Sequence, residues 1–289
     1  MAQGRVEART LKGFRDFLPA DQAGRAAMLA TIVRAFESCG FAPLSTPAIE
    51  YADILLGKYG EEGDKLLYRF RDNGDRDVAL RYDLTVSLAR VMAQYRDLPR
   101  PFRRYQVGTV WRAEKPAHGR FREFTQCDAD IVGAASPLAD ADCIAAVAMA
   151  LKDLGLVTAA GGGPGFVIRV GHRGVLNAVL GSAGIADPAA QVETLRAIDK
   201  LDKVGEAAVL DLLAALPGVG RDAGGQILET LARQDATLPD ANGGDHLKAV
   251  LAAVSAMGLG DHCRVDLRIA RGLDYYTGTV FETTLSDLP

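Results

Sequence analysis

Phe102-Arg103-Arg104-Tyr105-Gln106-Val107-Gly108-Thr109-Val110-Trp111-Arg112 and Phe121-Arg122-Glu123-Phe124-Thr125-Gln126-Cys127-Asp128-Ala129-Asp130-Ile131-Val132 read as a pair of strands joined by a charged loop, Ala113 to Arg120. Side chains alternate across a strand, so Gln126, Asp128 and Asp130 share one face and Thr125, Cys127 and Ala129 the other. A polar strand face is commonly no more than a solvated one. Here Arg112 ends the neighbouring strand and Glu114 follows it in the loop. A carboxylate, an amide and an arginine so placed suit a small zwitterion. The carboxylate takes an ammonium, the arginine takes an anionic oxygen, and the amide fixes orientation.

Upstream, Leu66 to Arg71 and Val78 to Arg81 form a second strand pair around Asp72-Asn73-Gly74-Asp75, a hairpin signal. Arg81-Tyr82-Asp83-Leu84-Thr85 then leads into a helix over Thr85 to Tyr95, with Leu88, Val91, Met92 and Tyr95 on one stripe. Asp83 is either the cap of that helix or a site acid, spaced by two from Arg81 and Thr85. Asp21 to Gly40 predicts a helix with Met28, Ile32 and Phe36 in register, and Phe41 to Ile49 an extended stretch in which Pro43 and Pro47 block helix.

Downstream, Pro137 to Leu154 predicts a helix capped by Ser136. Ala159-Ala160-Gly161-Gly162-Gly163-Pro164-Gly165 is the clearest break and reads as a loop or hinge. It lacks the Gly-Lys-Ser/Thr ending of a phosphate-binding loop. Phe166 to Val170 is a strand, Gly174 to Leu180 opens a helical region, and most of Pro188 to Met257 has helical spacing. Arg264 to Ile269 returns to strand. His118 reads as a solvated residue of the charged loop, and His172 as a plain loop histidine in preference to a site residue.

The 289 residues are 48% hydrophobic and 24% charged, enough for a sizeable core and more than one domain. A net charge of −4 gives no overall basic field for nucleic acid, although Arg96, Arg100, Arg103 and Arg104 leave room for a local basic surface. No apolar run reaches the ~18 residues that span a bilayer, and the polar start lacks a signal-peptide core; a soluble intracellular, cytoplasmic location is expected. Cys39, Cys127, Cys143 and Cys263 are scattered, and the four histidines lack metal-ligand spacing, so neither disulfides nor a resident metal is expected.

Near the end stands Arg271-Gly272-Leu273-Asp274-Tyr275-Tyr276-Thr277-Gly278-Thr279-Val280-Phe281-Glu282: a fixed cation, a flexible glycine and two flat aromatic walls. With this peptide a family resemblance enters. Val110 to Pro116 and Gly119 to Gln126 resemble motif 2 of class II aminoacyl-tRNA synthetases in its histidyl form. Arg271 to Glu282 is similar to the peptide that marks histidyl-tRNA synthetases. Lys12-Gly13-Phe14-Arg15-Asp16-Phe17-Leu18-Pro19 resembles that family's N-terminal signature, and Asp199-Lys200-Leu201-Asp202-Lys203 its insertion domain. Arg81-Tyr82-Asp83-Leu84-Thr85 looks like the eukaryotic and archaeal form.

The resemblance implies an α+β fold, a class II antiparallel sheet flanked by helices with a mainly helical insertion. It places the first part of the catalytic core at 1–160, the insertion at 161–260 and the return to the core at 261–289. It implies activation of L-histidine by ATP, with Mg²⁺ arriving on the nucleotide, no prosthetic group, and transfer to tRNA(His) by a homodimer away from membranes. Asp83 and Thr85 would take the ammonium side, and Gln126 and Asp130 would help hold the amino acid. Arg112 would contact the α-phosphate and the histidine carboxylate, and Glu114 would sit on the adenine or pyrophosphate side. Tyr275 and Tyr276 would line the imidazole pocket, and Arg271 would be the catalytic cation. Pro289 falls before the family's motif 3 and anticodon-binding domain, so the expectation is a catalytic fragment with weakened ATP affinity. Two alternatives share the fold: a non-catalytic regulatory paralogue of ATP phosphoribosyltransferase, and a sensor of histidine or uncharged tRNA.

Overall fold

The computed structural model describes residues 7–57, 66–233, 243–269 and 276–287. The chain divides into two compact units, residues 1–134 and 135–289.

In the first unit α1 (Pro19–Ser38) opens with a proline, whose missing N–H costs nothing in a first helical turn. Its last turn buries Phe36, whose ring lies 6.4 Å from Phe41 and 6.1 Å from Tyr105. Met28, earlier on the same stripe, is exposed. β1 (Ala42–Pro43) runs parallel to β5 (Phe102–Trp111), which pairs antiparallel with β6 (Glu123–Val132) from Phe102 opposite Val132 to Trp111 opposite Glu123. The second sheet has the order β2 (Ile49–Tyr51), β4 (Asp77–Leu80), β3 (Tyr68–Arg71), all antiparallel. Its hairpin is set by Asp72 rather than by Asn-Gly. Asp72 Oδ1 accepts from the amides of Gly74 and Arg76, both at 2.9 Å, and Asp75, not Gly74, takes the left-handed turn at φ 57°. α2 (Ala52–Leu55) and α3 (Thr85–Gln94) complete the unit; Leu88 and Val91 of the expected α3 stripe are buried, while Tyr95 is exposed.

The second unit carries a sheet of order β8 (Cys263–Val265), β7 (Phe166–His172), β9 (Thr279–Leu285), with β7 parallel to β8 and antiparallel to β9. Around it stand α4 (Pro137–Asp153), α5 (Arg173–Ser182), α6 (Pro188–Ile198), α7 (Leu201–Val204), α8 (Glu206–Ala214), α9 (Gly220–Ala232) and α10 (Gly244–Ala256). One core joins these layers through Ile144, Phe166, Ile168, Leu195, Leu213, Ile227 and Leu247, all completely buried. Ser136 caps α4 as expected, its hydroxyl accepting from Leu138 N at 3.2 Å.

Two local expectations give way, and a third, the glycine-rich loop, holds in a tighter form. The strand expected from Arg264 to Ile269 stops at Val265, because Asp266 turns back on Arg268, accepting from its amide at 3.0 Å and its Nε at 2.9 Å. His172 is not in a loop: it ends β7, is buried, and accepts from Gly174 N at 3.0 Å, capping α5. The glycine-rich 159–165 is a tied turn inside the second unit, with Ser286 N and Oγ donating to Gly165 O and Pro164 O at 3.0 and 2.6 Å. Gly165 is obligatory there, since a Cβ would lie 2.5 Å from Leu156 O.

Candidate active site

β4 ends at Leu80, and the chain turns through Arg81 to Leu84 into α3. Arg81 points inward, donating from Nε to Thr109 O at 2.9 Å and from Nη1 to Thr46 O at 2.7 Å. Burial pulls its guanidinium below the usual arginine range. Gly108 makes room for it: a Cβ would meet Arg81 Nη2 at 2.7 Å and Leu84 Cδ2 at 3.2 Å. Gly108→Ala is therefore expected to lose about 1–3 kcal/mol, read as a lower urea midpoint at unchanged slope. An unchanged midpoint would show that the contact relaxes freely.

The turn is held at both ends by arginines. Arg112, just past β5, donates from Nε to Tyr82 O at 3.1 Å, its Cζ 5.0 Å over the Phe124 ring. Arg104, in β5, donates from Nη2 to Leu84 O at 3.4 Å. Between them Asp83, buried, accepts from Val86 N at 3.0 Å. It thus caps α3, and its charge also reaches Asp128 and Asp130. The cap reading of Asp83 holds, and the same position faces the strand-borne acids. Thr85, half-buried, begins the helix.

Gln126, Asp128 and Asp130 share the strand face, as alternation required. Gln126 Nε2 donates to Asp128 Oδ1 at 3.3 Å, while its Oε1 is buried without a hydrogen-bond partner among the described residues. Asp130 Oδ2 lies 2.7 Å from Arg104 Nη2, its register partner across the ladder. Burial, followed by the nearby Asp130 charge, pushes the Asp128 carboxyl up to about 6; burial also raises Asp130, against the pull of Arg104. Glu114 sits farther along the loop, 3.7 Å from Arg120. An acidic, amide-bearing floor beside a held arginine can bind an ammonium at one end and an anionic oxygen at the other.

Of the residues singled out from sequence, Asp83, Thr85, Arg112, Gln126 and Asp130 converge on this turn and strand face. Tyr276 belongs to the second unit, before β9, and is 41% exposed. Arg271 and Tyr275 lie outside the described residues. Two residues were missed as members of the site. Arg104, grouped by sequence with a basic surface, is completely buried, and neighbouring Arg103 is tied to Cys39 O at 2.9 Å. Asp128 was noted on the shared face but given no part. The signal lay in strand parity: once Phe102 faces Val132, Arg104 must face Asp130.

A sequence profile described as histidyl-tRNA synthetase matches residues 13–288. The chain is 43% identical over 301 residues to a histidine–tRNA ligase of Treponema denticola, covering 98% of this chain and 65% of that protein. It therefore spans about two thirds of that relative's length. Its fold overlays the crystal structure of histidyl-tRNA synthetase from Nostoc sp. PCC 7120 with a TM-score of 0.83 at 32% identity, over 97% of this chain and 66% of that one. A Bacillus halodurans chain titled ATP phosphoribosyltransferase regulatory subunit/histidyl-tRNA synthetase shares the fold with a TM-score of 0.82 at 22% identity, over 98% of this chain and 74% of that one. The strand pair, the turn it holds and the helices around β7 are thus those of a class II α+β fold, and with the profile running from Gly13 to Leu288 the chain belongs to the histidyl-tRNA synthetase family.

Proposed function

We propose that this chain activates L-histidine with ATP, the first half of charging tRNA(His). The observation that carries the reading is the convergence of Asp83, Thr85, Arg112, Gln126 and Asp130 around one turn held by two arginines. A carboxylate oxygen of histidine bonds to the α-phosphorus, the bond from that phosphorus to the β-phosphate oxygen breaks, and pyrophosphate leaves. The 3′-terminal ribose hydroxyl of tRNA(His) then attacks the acyl carbon and AMP departs.

In the first step two anions meet and charge builds on phosphoryl oxygens. A fixed guanidinium such as Arg112 offsets both, so position and electrostatics supply the catalysis without a covalent enzyme intermediate. Asp83 and Thr85 take the ammonium, while Gln126 and Asp130 orient the amino acid. Glu114 lies on the nucleotide side. To Arg271 we assign the role of second cation and to Tyr275 and Tyr276 recognition of the imidazole, as the family resemblance implies, and Mg²⁺ enters as part of the nucleotide substrate. A cytoplasmic homodimer is the form in which we expect it to act; among the described residues no helix is long and apolar enough to cross a membrane.

Histidine-dependent exchange of labelled pyrophosphate into ATP tests the reading. Exchange that requires histidine supports it. Histidine binding without exchange points to the regulator or sensor alternatives, which share the fold without the chemistry.

A further inference from the structure

Arg104 is completely buried in β5, yet its Nε and Nη1 meet no acceptor among the described residues. Unused donors on a buried cation are costly, and an apolar pair at the same register would suit the sheet at least as well. What the guanidinium does hold is Asp130 on one side, at 2.7 Å, and Leu84 O on the other, at 3.4 Å. It is therefore the direct link between the two halves of the candidate histidine site, the strand face and the 82–84 turn.

Asp128 stands two residues from Asp130 on the same face. The groups that bear on it are Asp130 and Asp83, both negative, Arg104, and Gln126, whose amide donates to it. Gln106, its cross-strand partner, is committed to Thr46 Oγ1 at 3.0 Å. Asp128 and Asp130 thus share the Arg104 guanidinium on this face, and the Asp83 charge bears on both. Such an excess of negative charge is unfavourable in the empty protein and is relieved by a cationic ligand.

We propose that Arg104 is a positioning residue that fixes Asp130 to the 82–84 turn, and that Asp128 supplies a further carboxylate to the cationic end of the bound amino acid. This rests on the histidine reading above. The proton that Asp128 holds at about pH 6 in the free protein is released as the ligand arrives, so binding strengthens as pH rises through that value.

Calorimetric titration of L-histidine into the full chain, at pH 5 and pH 8, tests both parts. Asp128→Asn is expected to bind about tenfold more weakly than wild type at pH 8 and within about twofold at pH 5, where Asp128 is already protonated. Its melting temperature tells site from scaffold. The folded carboxyl titrates above its ordinary value, so its ionisation costs stability as pH rises; Asp128→Asn should melt higher than wild type at pH 8 but not at pH 4. Arg104→Met should move the pH midpoint of binding upward, because Asp130 loses the cation that favours its ionised form, and Arg104→Lys should restore the midpoint.

Equal affinities for wild type and Asp128→Asn at pH 8 overturn the role of Asp128 and leave the histidine reading standing. A folded Arg104→Met protein with an unmoved midpoint overturns the role of Arg104. Absence of histidine binding by wild type overturns the histidine reading and this inference with it.

Discussion

Arg112→Ala is expected to lower histidine-dependent ATP–pyrophosphate exchange by about 10²–10³-fold, the usual effect of removing one preorganised donor from a developing anion. Histidine binding should fall much less, by about tenfold, because Asp83, Thr85, Gln126 and Asp130 remain. The asymmetry is the point, since a group that acts on charge formed during the reaction contributes more to the transition state than to the ground state. Arg112 also holds Tyr82 O at 3.1 Å, so the substitution releases one end of the turn as well. Arg112→Lys separates these effects: it keeps the charge but lacks the fork that spans a backbone oxygen and an anion together. It should recover part of the exchange. Equal losses of binding and exchange in Arg112→Ala would falsify the catalytic assignment and leave Arg112 a structural brace.

Phe166→Ala should cost the second unit about 3–5 kcal/mol. The ring is completely buried at the start of β7, the strand that β8 and β9 flank, and it stacks on His262 with centroids 4.2 Å apart at 13°. His262 Nδ1 also lies 3.2 Å from Phe166 O, so the cavity would open beside a histidine already held by the same residue. Phe70 provides the contrast. It is 42% exposed in β3, and Phe70→Ala should cost under about 1 kcal/mol. Denaturation followed by circular dichroism reads both. Comparable losses in the two variants would show that the core around β7 repacks.

Much of the layout was legible because local chemistry decided it. Alternation put Gln126, Asp128 and Asp130 on one face, Ser136 announced α4, and the polar run at 113–120 separated the long strands. What escaped was set by tertiary contacts. Arg104 reads as one more basic residue until its register partner is known, and burial then reverses its meaning. Val265 reads as mid-strand because nothing in alternation says that Asp266 will fold back on Arg268. His172 looks like a loop residue because β7 runs further than its apolar core, Phe166 to Val170. The same limit applied to Asp83, where sequence offered a choice between cap and site acid: the fold shows the cap, and the site role belongs to the proposed function.

The shared core of the second unit has an evolutionary corollary. Helices α5 to α10 lie between β7 and β8 in the chain, where a modular view would treat them as a cassette. Yet Leu195, Leu213, Ile227 and Leu247 from those helices share one core with Phe166 and Ile168 of β7 and Ile144 of α4. Swapping this block between relatives would expose the strand it covers unless the apolar faces of α4 and β7 were exchanged with it, so drift in the helical segment is constrained by residues far from it in the gene.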